Sequence, residues 1–160
     1  MLSTTEHKTS RGYEVSVVLN NWLNERQQLW VDYCSIAGLT ANKSSESSPL
    51  PSNRQLASFC ELMMDYVSAG HFEIFDILAS EDPNGEALRE SLYPQLLKTT
   101  DQALEFNDAY GGVEEIINPA MFERAVARLG ETLAVRFELE DRIIQHLAER
   151  FMPIEVDSLS

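Results

Sequence analysis

Long apolar runs, cysteine pairs and positive charge are all scarce in this chain, and each scarcity removes a class of protein from consideration. No stretch of its 160 residues approaches the roughly 18 consecutive apolar residues of a membrane span. The opening residues MLSTTEHKTS hold no apolar run of the kind a secretion signal requires. The cysteines, Cys34 and Cys60, fall among apolar residues at helical spacing, and neither belongs to a C-x-x-C pair. They read as buried free thiols in a reducing compartment, which makes the cytoplasm the expected location. Lys and Arg number 12 against 26 Asp and Glu, a formal net charge of −14. So few cations argue against a direct grip on DNA or RNA phosphates and against docking on an anionic membrane surface. The excess of carboxylates favours a basic partner, because a negative field speeds encounter with positive surfaces. Acidity of this degree also serves plain solubility.

What the chain does have is helical periodicity. Apolar residues make up 44% of it, enough for one core in a domain of this length, so residues 1–160 are read as a single helical domain. Nothing alternates like a strand. A first helix is expected from about Tyr13 to Ala37, with Val15, Val18, Leu19, Trp22, Leu29, Tyr33 and Ile36 on one face and Gly38 as its stop. A second starts at Ser52, with Gln55 three residues on as a capping box, and continues to about Ala79. A third begins at Asp82 with Pro83 in the first helical position, passes through Pro94 and stops at Gly111 and Gly112. The fourth begins at Asn118–Pro119 and ends near Phe151. Four long amphipathic helices joined by three connections predict an all-α, up-down four-helix bundle. The Ser-rich loop 38–51, the first dozen residues and the last eight are expected to be flexible.

Two kinds of residue sit on the wrong side of these helices. Polar residues occupy core stripes: Arg26 between Trp22 and Leu29, Glu140 between Phe137 and Ile144, Thr100 and Asn107 on the third helix, and His71 on the flank of the second. A buried charge requires a partner, so these residues are expected to pair in two structural polar layers. Counting helical rise puts Arg26 and Thr100 in one layer and His71 and Glu140 lower in the other. A hemerythrin-like metal- or oxygen-binding bundle is the alternative. It would need several inward His and Glu residues, and the chain has His7, His71 and His146 with no Glu-x-x-His pair on a core face. No metal, cofactor or catalytic group is therefore expected, and no phosphate-binding loop or nucleophile elbow is present.

The opposite misfit is an apolar residue on an outer face. On the second helix Phe72 points about 180° away from Met63 at 100° per residue. Glu61, Asp65, Ser68 and Asp76 share its side, and Phe75 borders it. An aromatic anchor set among charges of one sign suits a protein-binding surface.

The segment FCELMMDYVSAGHFEIFDIL, Phe59 to Leu78, closely resembles the Rsd/AlgQ family of bacterial regulators. WLNERQQLWVDY (22–33), YPQLLKTTDQALEFND (93–108) and RFELED (136–141) are similar to the family's motifs on its other helices, in the same order. The resemblance implies an anti-sigma factor with a helical-bundle fold. It would bind the C-terminal, promoter-reading domain of the primary sigma factor and modulate its use by RNA polymerase. Carried over by motif, Asp65 and Phe72 would face sigma.

Overall fold

Local chemistry fixes most of the helix ends. The computed structural model describes residues 4–39, 50–69, 73–80 and 82–151. Most of the Ser-rich loop, both chain ends, residues 70–72 and residue 81 lie outside the described residues, and with them most of the expected flexible loop and the C-terminal tail, whereas residues 4–12, expected to be flexible, are helix. Five helices are described: α1 (Thr4–Ile36), α2 (Asn53–Ala69), α3 (Phe75–Ser80), α4 (Pro83–Tyr110) and α5 (Pro119–Phe151).

Gly38, at φ 77°, takes the left-handed conformation that closes α1. The Leu39 and Gly38 amides then reach back to the carbonyls of Cys34 and Ser35 at 2.8 and 3.1 Å. Ser52 and Gln55 form the reciprocal cap of α2, at 3.1 and 2.9 Å. Asp82 accepts the Asn84 amide at 3.1 Å to start α4, and Asn118 accepts that of Met121 at 3.1 Å to start α5. Helix α4 runs through Pro94 without ending.

Two boundaries differ from the sequence reading. Helix α1 begins at Thr4, not Tyr13. It extends because its first turns meet the end of α5: a Cβ on Gly12 would lie 2.6 Å from the Phe151 carbonyl oxygen, so only glycine admits this approach. The expected second helix is two pieces, α2 and α3, and a π-type turn at Glu73–Ile74 leads into the latter. A turn of that type carries an extra residue and shifts the phase of the wheel. Phe75, expected at the border of the outer face, is consequently core, together with Ile74 and Leu78.

One cluster of buried apolar side chains draws on all five helices. Helix α1 packs on α5 in opposite chain direction. Gly12 meets Phe151, the Arg26 guanidinium sits 5.1 Å over the Phe137 ring, and Tyr33 donates to the Val126 carbonyl at 2.8 Å. Gly130 makes the last contact possible, since a Cβ there would lie 2.2 Å from Tyr33 Oη. Trp22 stacks on Tyr66, and Tyr33 and Phe106 both pack on Phe59, which ties α2 to α1 and α4.

The polar residues of the core gather into one cluster instead of two layers. Arg136, 1% exposed, donates from Nε to Glu140 Oε2 at 2.9 Å, and from Nη1 to the hydroxyls of Thr99 and Thr100 at 3.0 and 2.9 Å. The Tyr66 hydroxyl donates to Glu140 Oε1. Arg26 Nη1 stands 3.9 Å from Glu140 Oε1 and 2.8 Å from the exposed Asp141 carboxylate. Helices α1, α2 and α5 thus meet on one carboxylate, and Arg136 ties α4 to the same cluster. The register of α1 on α5, which sets Arg26 beside Phe137, brings its guanidinium to the level of Glu140, which counted helical rise placed lower. Asn107 is half-buried about two turns further along α4, apart from this cluster. His71 lies outside the described residues. Burial drives the Glu140 carboxyl above its usual range, against the pull of Arg136, Tyr66 and Arg26.

Replacing Glu140 by Ala leaves Arg136 buried without its carboxylate, and should cost about 3–5 kcal/mol of unfolding free energy in urea titrations. Arg26→Ala, removing a partly exposed cation, should cost about 1–2 kcal/mol. Equal losses for the two would sink this ranking. Gly130→Ala gains about 1 kcal/mol of helix propensity but drives a methyl into Tyr33. The clash is expected to win by about 1–2 kcal/mol, and pairing it with Tyr33→Phe should recover part of the loss.

Asp82 also accepts from His146, at 2.6 Å. That bond, with help from the Asn84 amide and Arg150, holds its carboxyl below the usual range against the opposing effect of desolvation. Its contribution to stability is complete above the ordinary carboxylate pKa and is lost as pH falls through the depressed value. The stability gap between the protein and Asp82→Asn should therefore close on acidification from about pH 5 to pH 2. A gap independent of pH would refute the ion-pair role.

Candidate protein-binding face

Helix α2 divides its sides sharply. Leu56, Phe59, Cys60, Met63, Tyr66 and Val67 are buried, whereas Glu61, Asp65 and Ser68 are exposed. The last three follow one another at i, i+4 and i+7, so they line a single face. No ion pair engages Glu61 or Asp65 among the described residues. Asp76 is exposed as well, but it stands on α3, beyond the interruption. Phe72, the expected anchor, lies outside the described residues. The structure thus brings Glu61, Asp65 and Ser68 together, and assigns Asp76 to a separate helix.

Two acidic residues that the sequence reading passed over adjoin this face. Glu25 of α1 and Glu73, just before α3, border a cleft of about 150 Å³ whose remaining wall is Val18, Asn21, Trp22, Ala69 and Ile74. Partial burial raises the Glu25 carboxyl, and the neighbouring charges of Glu73 and Asp65 raise it further. Negative charge therefore continues from α2 across to α1. One signal of this was available: Glu25 follows Trp22 by three residues, so it stands one turn from a core residue on the same flank of α1.

The chemistry on offer is that of cation acceptors. Cys60 is buried, and burial pushes its thiol up to about 11, which keeps it protonated and poorly nucleophilic. Among the described residues no three His, Cys, Asp or Glu side chains are grouped so as to hold a metal ion. No helix of the described residues is long and apolar enough to cross a membrane.

Comparison with known proteins agrees with the motifs. The profile of the family described as "Regulator of RNA polymerase sigma(70) subunit, Rsd/AlgQ" matches residues 1–148. A protein named Regulator of sigma D from Yersinia enterocolitica is 33% identical over 154 residues, covering 93% of this chain and 91% of its own length. Its namesake from Enterobacter sp. strain 638 is 35% identical over 149 residues, covering 90% and 88%. That from Yersinia pseudotuberculosis is 31% identical over 161 residues, covering 98% and 94%. No solved structure matches the chain. On the reach of the profile match and the identity of these relatives over nearly their whole lengths, the chain belongs to the Rsd/AlgQ family of regulators of the RNA polymerase sigma(70) subunit.

Proposed function

We propose that this protein is an anti-sigma factor of the bacterial cytoplasm, a stoichiometric binder of the primary sigma factor that performs no chemistry. Its target is the C-terminal, promoter-reading domain, and the contact is centred on Glu61, Asp65, Ser68, Phe72 and Asp76. The observation that carries this reading is the outer face of α2, where exposed Glu61 and Asp65 have no ion-pair partner among the described residues while the opposite side of the helix is committed to the core. The relatives named Regulator of sigma D support the choice of partner. A sigma domain that reads promoter DNA presents a basic helix-turn-helix, and an acidic helix can cover that surface in competition with DNA. The opposed contacts along α1 and α5 support a single-domain, up-down four-helix bundle in which α2 and α3 together supply one arm. Arg26, Thr100 and Glu140 hold that bundle together from within.

Calorimetric titration with the C-terminal domain of the primary sigma factor tests the reading. Asp65→Ala and Phe72→Ala should each weaken binding by at least about tenfold, or 1.4 kcal/mol, with helical circular dichroism unchanged. Affinity should also fall as salt rises from low to physiological ionic strength. Wild-type affinity in both variants would show that the contact lies elsewhere.

A further inference from the structure

We infer that the cleft between α1 and Glu73 is a receptor for one basic side chain, Lys or Arg, of a protein partner. Its size comes first. A volume of about 150 Å³ is below the roughly 300–1,000 Å³ of small-molecule pockets, and suits a single side chain. Its lining is split in the way such a side chain is split. Val18, Ala69, Ile74 and the ring of Trp22 offer apolar wall, while Glu25 and Glu73 offer carboxylates. Lys and Arg bury a hydrocarbon stem and carry the charge at its tip.

The electrostatics ask for a cation. Glu25 and Glu73 face the cleft, and Asp65 is near enough to act on Glu25, so three like charges crowd one another with no cation paired to them among the described residues. A guanidinium or ammonium group between them relieves that repulsion. A second, independent feature points to a peptide as the bearer of the cation. Trp22 is 3% exposed, forms part of the cleft wall, and its indole N–H meets no acceptor among the described residues. Buried N–H groups are ordinarily satisfied. The main-chain carbonyl of a segment that inserts a basic side chain is an acceptor of the right kind. A metal ion or a free amine would not supply one.

The partner's identity rests on the sigma reading above; the chemistry of the cleft does not, and two titrations separate them. In the first, the C-terminal sigma domain is added to the wild-type protein, to Glu25→Gln, to Glu73→Gln and to the double variant. Glu90→Gln, which removes an exposed carboxylate on α4, is the control for net charge. Each single variant should weaken binding about fivefold and the double variant more than tenfold, with a flatter salt dependence, while the control stays within about twofold. All five proteins should keep wild-type helical circular dichroism. In the second, the indole N–H signal of Trp22 is followed by nuclear magnetic resonance as N-acetyl-arginine amide is added at millimolar concentration, with Trp30 as internal reference. The Trp22 signal should move in the wild-type protein and stay put in the double variant. A double variant that binds the sigma domain as the wild type does, or a Trp22 signal that neither the domain nor the arginine amide moves, overturns the inference and leaves the sigma reading intact. Failure of the wild-type protein to bind the sigma domain refutes the sigma reading, and the cleft is then decided by the arginine amide alone.

Discussion

Glu140 has no contact with water and is touched by residues of two other helices besides its own, and its partner Arg136 reaches a third, so the arrangement of α1, α2, α4 and α5 depends on keeping its charge matched. Arg136 supplies the direct partner, four residues earlier on the same helix, and spends its other nitrogen on the Thr99 and Thr100 hydroxyls of α4. Tyr66 brings α2 and Arg26 brings α1. Burying such a set is costly, and an apolar core of the same volume is often at least as stable. What a polar cluster adds is selectivity of arrangement. A one-turn slip of α5 against α4 would part Arg136 from the two threonines, whereas an all-leucine seam would tolerate it. One guanidinium nitrogen of Arg136, Nη2, is buried without an acceptor, so the set is incompletely satisfied even in the native register.

The interior and the surface divide the charges in opposite senses. Inside, Arg136 pairs with Glu140 and Arg26 stands 3.9 Å from it, so the buried carboxylate has cations beside it. Outside, along α2 and the neighbouring flank of α1, carboxylates face solvent with few cations between them. Low dielectric inside makes pairing obligatory; water outside makes the absence of pairing tolerable at small cost. The same residue type therefore holds the fold together in one place and remains available to a partner in another.

Much of this was legible in the sequence. Caps at Ser52, Asp82, Asn118 and Gly38 gave helix ends because each residue type satisfies a stated backbone group. Glu140 and Arg26 stood out because a charge on an apolar stripe contradicts its surroundings. Arg136 was missed, although it lies on the same stripe as Leu129, Leu133 and Ile143 and four residues before Glu140, the spacing at which opposite charges on a helix meet. Tyr66 was missed because a tyrosine in a core pattern does not reveal where its hydroxyl will find a partner. The division of the second helix was hidden for a different reason. Apolar periodicity does not reveal the π-type turn at Glu73–Ile74, and the phase shift there misplaced Phe75. Glu25 follows Trp22 by one turn, but no local pattern joins it to Glu73. They come together only through the packing of α1 on α2.

The close approach of α1 to α5 at Gly12 and Gly130 has a mechanical consequence for the cleft beside Trp22. A 33-residue helix held against α5 by backbone contact at Gly12 and by the Tyr33 side chain at Gly130 cannot tilt or slide without collision, since packed interiors deform in steps and not continuously. The α1 wall, with Glu25 on it, is a fixed jaw. The opposite wall ends in Glu73 and leads into α3, a helix of 6 residues, which is too short to be stiff on its own and is held by Phe75 and Leu78. The cleft accordingly has one rigid side and one compliant side, and any adjustment to the length of the side chain it receives falls to the compliant one.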